Sequence, residues 1–397
     1  MSNERTRGMT VRRRLLGVAL LAPAFGLIAG GTSFAGGRSS PYSPYWFVSA
    51  TPNVPDSFTG LNSVSADAPN DAWSVGYSDS LTGRRSLGVI QHWNGVSWRR
   101  VTPAPLPAGT RGIGLRAVAA IAPDDVWAVG TIALASGSSP VIEHWDGTAF
   151  GMVPNPGPSG GQLWAVSALN DHDVWAAGSA FGSTGGAVNL LEHWNGTKWK
   201  IFPGPAGAEP GGLDALAIFG HDDVWVAGHI HQGYDARTMT AHWDGSTWTL
   251  VPTPDTTYVS TFAGIDGAAP DDIWAVGSTY RKKYGYPMSL VEHWDGTTWT
   301  VVPTPKVGSI QQLAGVAVSA SDNVWTVGVA NSAAGDNLTE HWDGTAWTVY
   351  NAPEIEMANN SLVSVAADPA GNFWAVGQWV TFDPEHVNTL ALHNMPD

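Results

Sequence analysis

A six-residue segment, Asp125-Val126-Trp127-Ala128-Val129-Gly130, returns with small changes around Trp73, Trp175, Trp225, Trp274, Trp325 and Trp374. Successive tryptophans are 54, 48, 50, 49, 51 and 49 residues apart. A period of about 50 residues marks one supersecondary unit per copy, each burying its apolar face against the next. The 397 residues are therefore divided by this repeat and not by a typical domain length. A second motif follows each copy, as in Glu292-His293-Trp294-Asp295-Gly296-Thr297-Thr298-Trp299. Its histidine recurs at His92, His144, His193, His242 and His341, with a truncated copy at His393.

Each unit reads as four short strands. In the second unit, residues 115–120 alternate as strand A, and Asp124-Asp125 turns into strand B at 126–129. Strand C covers 141–145, and Asp146-Gly147 is a two-residue hairpin signal because both tolerate positive φ. Strand D ends at Pro154 or Pro156, which only an edge strand accepts. This pattern predicts an all-β fold, a seven-bladed β-propeller of four-stranded blades over residues 43–397. The last unit stops after strand C, at 390–393, but residues 46–52 align with the D strand at 248–254. An N-terminal outer strand is thus expected to complete the last blade and leave no edge open. The 21 Trp then have a task, since they fill the wedges between blades in a chain with no cysteine.

The pairing of D-V-W-A-V-G with W-[D/N]-G-x-x-W resembles the repeats of tectonin-like and related lectin propellers. Blade length is similar to kelch repeats, as in galactose-oxidase-like propellers. The resemblance covers 45–397 and implies a propeller that binds sugars, in the lectins often between adjacent blades. The kelch double glycine is missing, since Thr131 follows Val129-Gly130, and a chain without Cys cannot form the Tyr–Cys crosslink of a galactose-oxidase copper site. None of the family's sugar-binding residues transfers to a numbered position here.

Residues 1–35 have the form of a signal peptide: Arg5, Arg7, Arg12, Arg13 and Arg14, an apolar stretch at 15–29, then Ser33 and Ala35. Arg12-Arg13-Arg14-Leu15-Leu16 resembles a twin-arginine signal, with general secretion as the other route. Pro23, Gly26 and Gly30 make the stretch a poor membrane anchor. A linker at 36–42 follows, and the mature chain is expected to be secreted, monomeric and without a membrane span. Cleavage removes five Arg and one Glu and leaves 14 basic and 33 acidic residues, a net charge of −19. Such a surface repels phosphate backbones, so nucleic acid is not an expected partner.

Features repeated in every blade belong to the scaffold, because equivalent His residues spread around a ring cannot converge on one ligand. The same holds for Glu143, Glu192, Glu292 and Glu340. Unrepeated residues are the candidates for function, and two groups stand out. The position after the first Leu of strand A, at the channel mouth, reads Asn62, Arg116, Trp164 and Asp214, then Ala263, Ala314 and Val363. The connections between strands B and C carry His229, His231, Tyr234 and Arg237 in unit four and Tyr280, Arg281 and Tyr284 in unit five, with Tyr258 between. No metal, cofactor or catalytic residue is assigned. Extracellular recognition of a carbohydrate or cell-surface polymer is the expected function. The alternatives are a secreted polysaccharide hydrolase or lyase acting at the mouth, and a protein-interaction scaffold. A hydrolase would need two carboxylates, or a His and a carboxylate, converging there.

Overall fold

The computed structural model describes residues 46–397 except 82–84, 183–185, 209–210, 233–234, 255–258, 281–284, 333–334, 356–357, 383–384 and 395–397. The signal and linker expected at 1–35 and 36–42 lie outside the described residues. Every described regular element is a β-strand, and the chain is a β-propeller repeat of four-stranded antiparallel sheets. A single parallel pair, Ser86 with Gly112, links the first two units into one larger sheet. The innermost strands are Ser57–Ala68, Gly112–Ala122, Gln162–Asn170, Gly211–Gly220, Ser260–Ala269, Gln311–Ala320 and Asn359–Ala367. Each packs against the next, and Asn359–Ala367 packs back against Ser57–Ala68. We number the units one to seven by these strands and letter the strands of each from A, innermost, to D.

The last sheet takes its outer strand from the N-terminus. Phe47 pairs with His393 and Val48 with Leu392, in the register by which Thr249 pairs with His242 and Leu250 with Ala241 in unit four. Trp46, preceding the pair, is fully buried.

Packing between units runs through tryptophan. The strand B Trp of each unit is almost wholly buried and meets the C or D strand aromatics of the following one. Trp127 lies 5.1 Å from Trp194 and 5.4 Å from Trp199, and Trp274 lies 5.1 Å from Trp342 and 5.3 Å from Trp347. From unit seven, Trp374 reaches Trp93 and Trp98 of unit one at 5.0 and 5.1 Å. At unit six the role passes to the N-terminal strand, where Trp46 meets Trp325 edge-on at 5.2 Å. These are favourable edge-to-face and tilted arrangements, worth about 0.5–1.5 kcal/mol each beyond their buried area.

The repeated histidines are structural. The His144 ring lies 4.2 Å from Trp127, and its Nε2 is 2.7 Å from Asp125, which opens the neighbouring strand B. His92, His193, His242 and His293 are bonded to Asp71, Asp173, Asp223 and Asp272 in the same way. The hairpin Asp-Gly turns are fixed by their own Asp, since Asp295 accepts from the Thr297 and Thr298 N–H groups at 2.9 and 2.8 Å.

The strands are longer than the motifs. Strand A of unit two runs Gly112–Ala122 where alternation marks only 115–120, and strand B runs Asp125–Leu134. Most of the added residues are buried, Ile113, Thr131 and Ile132 among them, but Gly112, Gly114 and Gly130 interrupt the alternation around them. The connections between B and C strands are correspondingly shorter, as in unit four, where Gln232 already pairs with Asp235.

Candidate functional site

The motif glycine controls the site. Where strand A passes it, every unit has an irregularity that leaves one residue without a partner: Asn62, Arg116, Trp164, Asp214, Ala263, Ala314 or Val363. This is a β-bulge, which frees a side chain from the alternation of the strand and re-aims it. A Cβ on Gly130 would lie 2.1 Å from the carbonyl oxygen of Gly114, and one on Gly228 2.1 Å from that of Gly212. No side chain fits there, so glycine is what lets strand A bulge against strand B.

All seven bulged residues line one central channel of about 440 Å³. The channel is uneven. Units one to four contribute Asn62, Arg116, Trp164 and Asp214, and units five to seven contribute Ala263, Ala314 and Val363. The guanidinium carbon of Arg116 stands 5.1 Å from the centroid of the Trp164 ring, a cation–π contact. The Trp164 indole donates to Ser179 Oγ at 3.3 Å, and the Asn62 amide donates to the Leu115 carbonyl at 2.7 Å. Burial lowers the Arg116 pKa, with Tyr77 and Asp79 acting against it. The group stays cationic, as Arg does throughout the accessible range. Its Nε is buried without a hydrogen-bond partner.

Asp214 is held by His229, whose Nδ1 lies 2.9 Å from its Oδ2. Burial alone would lower the His229 pKa, but the hydrogen bond and charge of Asp214 outweigh it and the net shift is upward. His231, whose ring centroid is 4.8 Å from that of His229, is lowered by burial and by the His229 charge. His229 therefore does not belong to a B–C loop. It sits in strand B (Asp223–Gln232) opposite Gly212, because strand B continues past the motif. Asp214 and His229 are the carboxylate–histidine pair that a hydrolase at the mouth would require.

None of the other described loop candidates lines the channel. His231 and Arg237 are exposed within strands, Tyr280 ends strand B of unit five and pairs with Pro287, and Arg237 lines a separate cavity of about 300 Å³. Tyr234, Tyr258, Arg281 and Tyr284 lie outside the described residues. Among the described residues no group of three metal-ligating side chains is present.

Two features of the site carry little signal in the sequence, His229 apart. The first is the residue after each motif glycine, where Tyr77, Ser179, His229 and Gln378 meet the mouth or one another; the Tyr77 hydroxyl bonds the Gln378 amide oxygen at 2.9 Å. The variability that singled out Arg116 was present at this position too. The second is Asp266, which lines the channel below Ala263. Its Oδ2 accepts the Val318 N–H at 2.8 Å, while burial lifts its carboxyl to about 6.

No family model and no curated protein sequence matches the chain. Solved structures do match. YCF48 bound to D1 peptide superposes with a TM-score of 0.55 at 15% identity, over 90% of this chain and 96% of that one. YCF48 from Cyanidioschyzon merolae gives 0.52 at 14% identity, over 89% and 99% of the two chains. A protein of unknown function from Dyadobacter fermentans gives 0.51 at 13% identity, again over 89% and 99%. YCF48 is a β-propeller, and at these identities the likeness establishes the fold of this chain as a β-propeller repeat.

Proposed function

We propose that the chain is an exported, monomeric, seven-bladed propeller, closed by its N-terminal strand, which recognises a peptide segment of another protein at the channel mouth. The observation that carries this reading is Arg116. Its guanidinium is held on the Trp164 face and lines the channel. A guanidinium already oriented by stacking suits a carboxylate, which it can hold with two parallel hydrogen bonds. The Trp164 face is occupied by Arg116 and is not free as a platform for a sugar ring, which favours a peptide over a neutral glycan. The solved YCF48 complex with a peptide is in keeping with this choice.

The test is a screen of the mature protein against a peptide library and a glycan array in parallel. The reading expects peptides carrying an acidic side chain or a free C-terminus, with binding lost in Arg116→Ala. Hits on the glycan array alone would return the carbohydrate reading.

A second reading has one observation in its favour, the contact of Asp214 with His229 at 2.9 Å. In a polysaccharide hydrolase or lyase this pair would supply acid–base catalysis. Chain cleavage of acidic polysaccharides that disappears in His229→Gln would establish it.

A further inference from the structure

We propose that the channel lumen accepts a cationic side chain, an ammonium or guanidinium on a long aliphatic stem, with Asp266 as its counter-ion. The proposal rests on the reading of the mouth as a peptide site and names the residue that the peptide inserts. Asp266 is three residues beyond the bulged Ala263 on the same strand, so it stands about 10 Å down the channel. At that depth a short side chain does not reach it. The three- or four-carbon stem of Arg or Lys is apolar enough to pass the Ala263, Ala314 and Val363 wall and carries its charge at the tip.

The scaffold does not need this charge. Asp266 bridges to unit six by accepting the Val318 N–H at 2.8 Å, and at the equivalent place in unit one Ser65 Oγ accepts the Ala120 N–H at 3.0 Å. The same position is Ala119, Ala217, Ala317 or Ala366 in four other units, with no side-chain acceptor at all. A neutral hydroxyl, or nothing, is therefore enough to hold two blades together here.

Asp266 is nevertheless an acid, and among the described residues its titration is set by burial and the N–H groups of Val318 and Gly267, with no cationic side chain among them. A carboxylate walled on one side by apolar residues and lacking a counter-ion is costly to keep ionised, and an incoming cation relieves that cost. A single carboxylate suffices for an organic cation, whereas a metal ion would need further ligands. The channel is thus dipolar, with Arg116 for an anion at the rim and Asp266 for a cation in the lumen.

The test uses n-butylamine and agmatine as probes, with n-butanol as the neutral control, titrated into the full mature protein at pH 7.5 by calorimetry or ligand-detected NMR. Both cations should bind with Kd roughly in the millimolar range, at least tenfold more tightly than to Asp266→Ser or Asp266→Asn, and n-butanol should not bind. Each variant keeps an acceptor for Val318, and equal melting temperatures will show that folding is intact. Thr297→Ala, in a hairpin outside the channel, should leave amine binding unchanged. A failed peptide screen then counts against the mouth, and a failed amine titration against the lumen. The proposal is overturned if the amines do not bind the wild type, or bind Asp266→Ser equally well.

Discussion

Replacing Trp46 by Ala should lower the melting temperature by about 4–7 °C and promote aggregation. The side chain is fully buried and packs edge-on against Trp325 at 5.2 Å, in a cluster with Leu362, Leu390 and Leu392. Truncating such a residue costs about 3–5 kcal/mol. A propeller of roughly 350 residues has an unfolding entropy of about 0.7 kcal/mol/K, which converts that loss into the stated shift. Aggregation is expected because the strand that Trp46 anchors pairs through only two residues. It is also held by the Ser49 N–H to the Ala391 carbonyl at 2.9 Å, Thr51 Oγ1 to Thr389 Oγ1 at 2.7 Å, the Thr389 N–H to Asn53 Oδ1 at 2.8 Å, and the Gln91 amide to the Pro52 carbonyl at 2.9 Å. When these open, the edge of the last blade is free to pair with another molecule. Trp98→Ala removes an equally buried indole from a unit whose four strands are consecutive, so it should melt early without aggregating. Calorimetry with light scattering reads both. A Trp46→Ala melt within about 1 °C of wild type, or equal aggregation of the two variants, would refute closure by this strand.

Gly228→Ala places a Cβ 2.1 Å from the Gly212 carbonyl oxygen, so the bulge presenting Asp214 must shift; urea unfolding should show a loss of roughly 2–4 kcal/mol, with mouth binding abolished. Burial lifts Glu143 and Glu192 to about 7 and Glu292 and Glu340 to about 8. Glutamates in the unfolded chain ionise near pH ~4.3, so the folded state gains its full advantage below that pH and loses it as pH rises towards 8. The melting temperature should therefore be higher at pH 5 than at pH 8.5, with a shallower fall in Glu340→Gln; a flat profile would contradict this assignment. Protein recovered from the culture medium should begin near Gly36 by intact mass, and a membrane-bound species retaining residues 1–35 would instead mark an anchor.

How much was legible in the sequence follows from what repeats. Strand order, the scaffold role of His144 and its counterparts, and the pairing of 46–52 with the last blade are set by local patterns copied around the chain. The mouth residues are visible because Arg116 and Trp164 stand where three other units carry Ala263, Ala314 and Val363. What aims them was not visible: a bulge adds one residue to an unbroken strand, and only the demand for glycine on the opposite strand betrays it. His229 reads from the sequence as a loop residue because Gly228 ends the motif, although strand B runs on to Gln232 with Ile230 packed on the core. Asp266 carries no signal of its own in the sequence, because one acid among serines and alanines on an inner strand is ordinary variation, and only the channel gives it a place.

The central claim is that the mouth built on Arg116 and Trp164 is where a ligand is recognised. Its most direct test is the affinity of one selected peptide for the wild type, Arg116→Ala, Trp164→Ala and Thr297→Ala, the last in a hairpin common to the blades. Loss of an anchoring Arg or Trp should cost about 2 kcal/mol, roughly a thirty-fold rise in Kd, with Thr297→Ala indistinguishable from wild type. Wild-type affinity in both mouth variants would contradict the claim and move the site away from the channel.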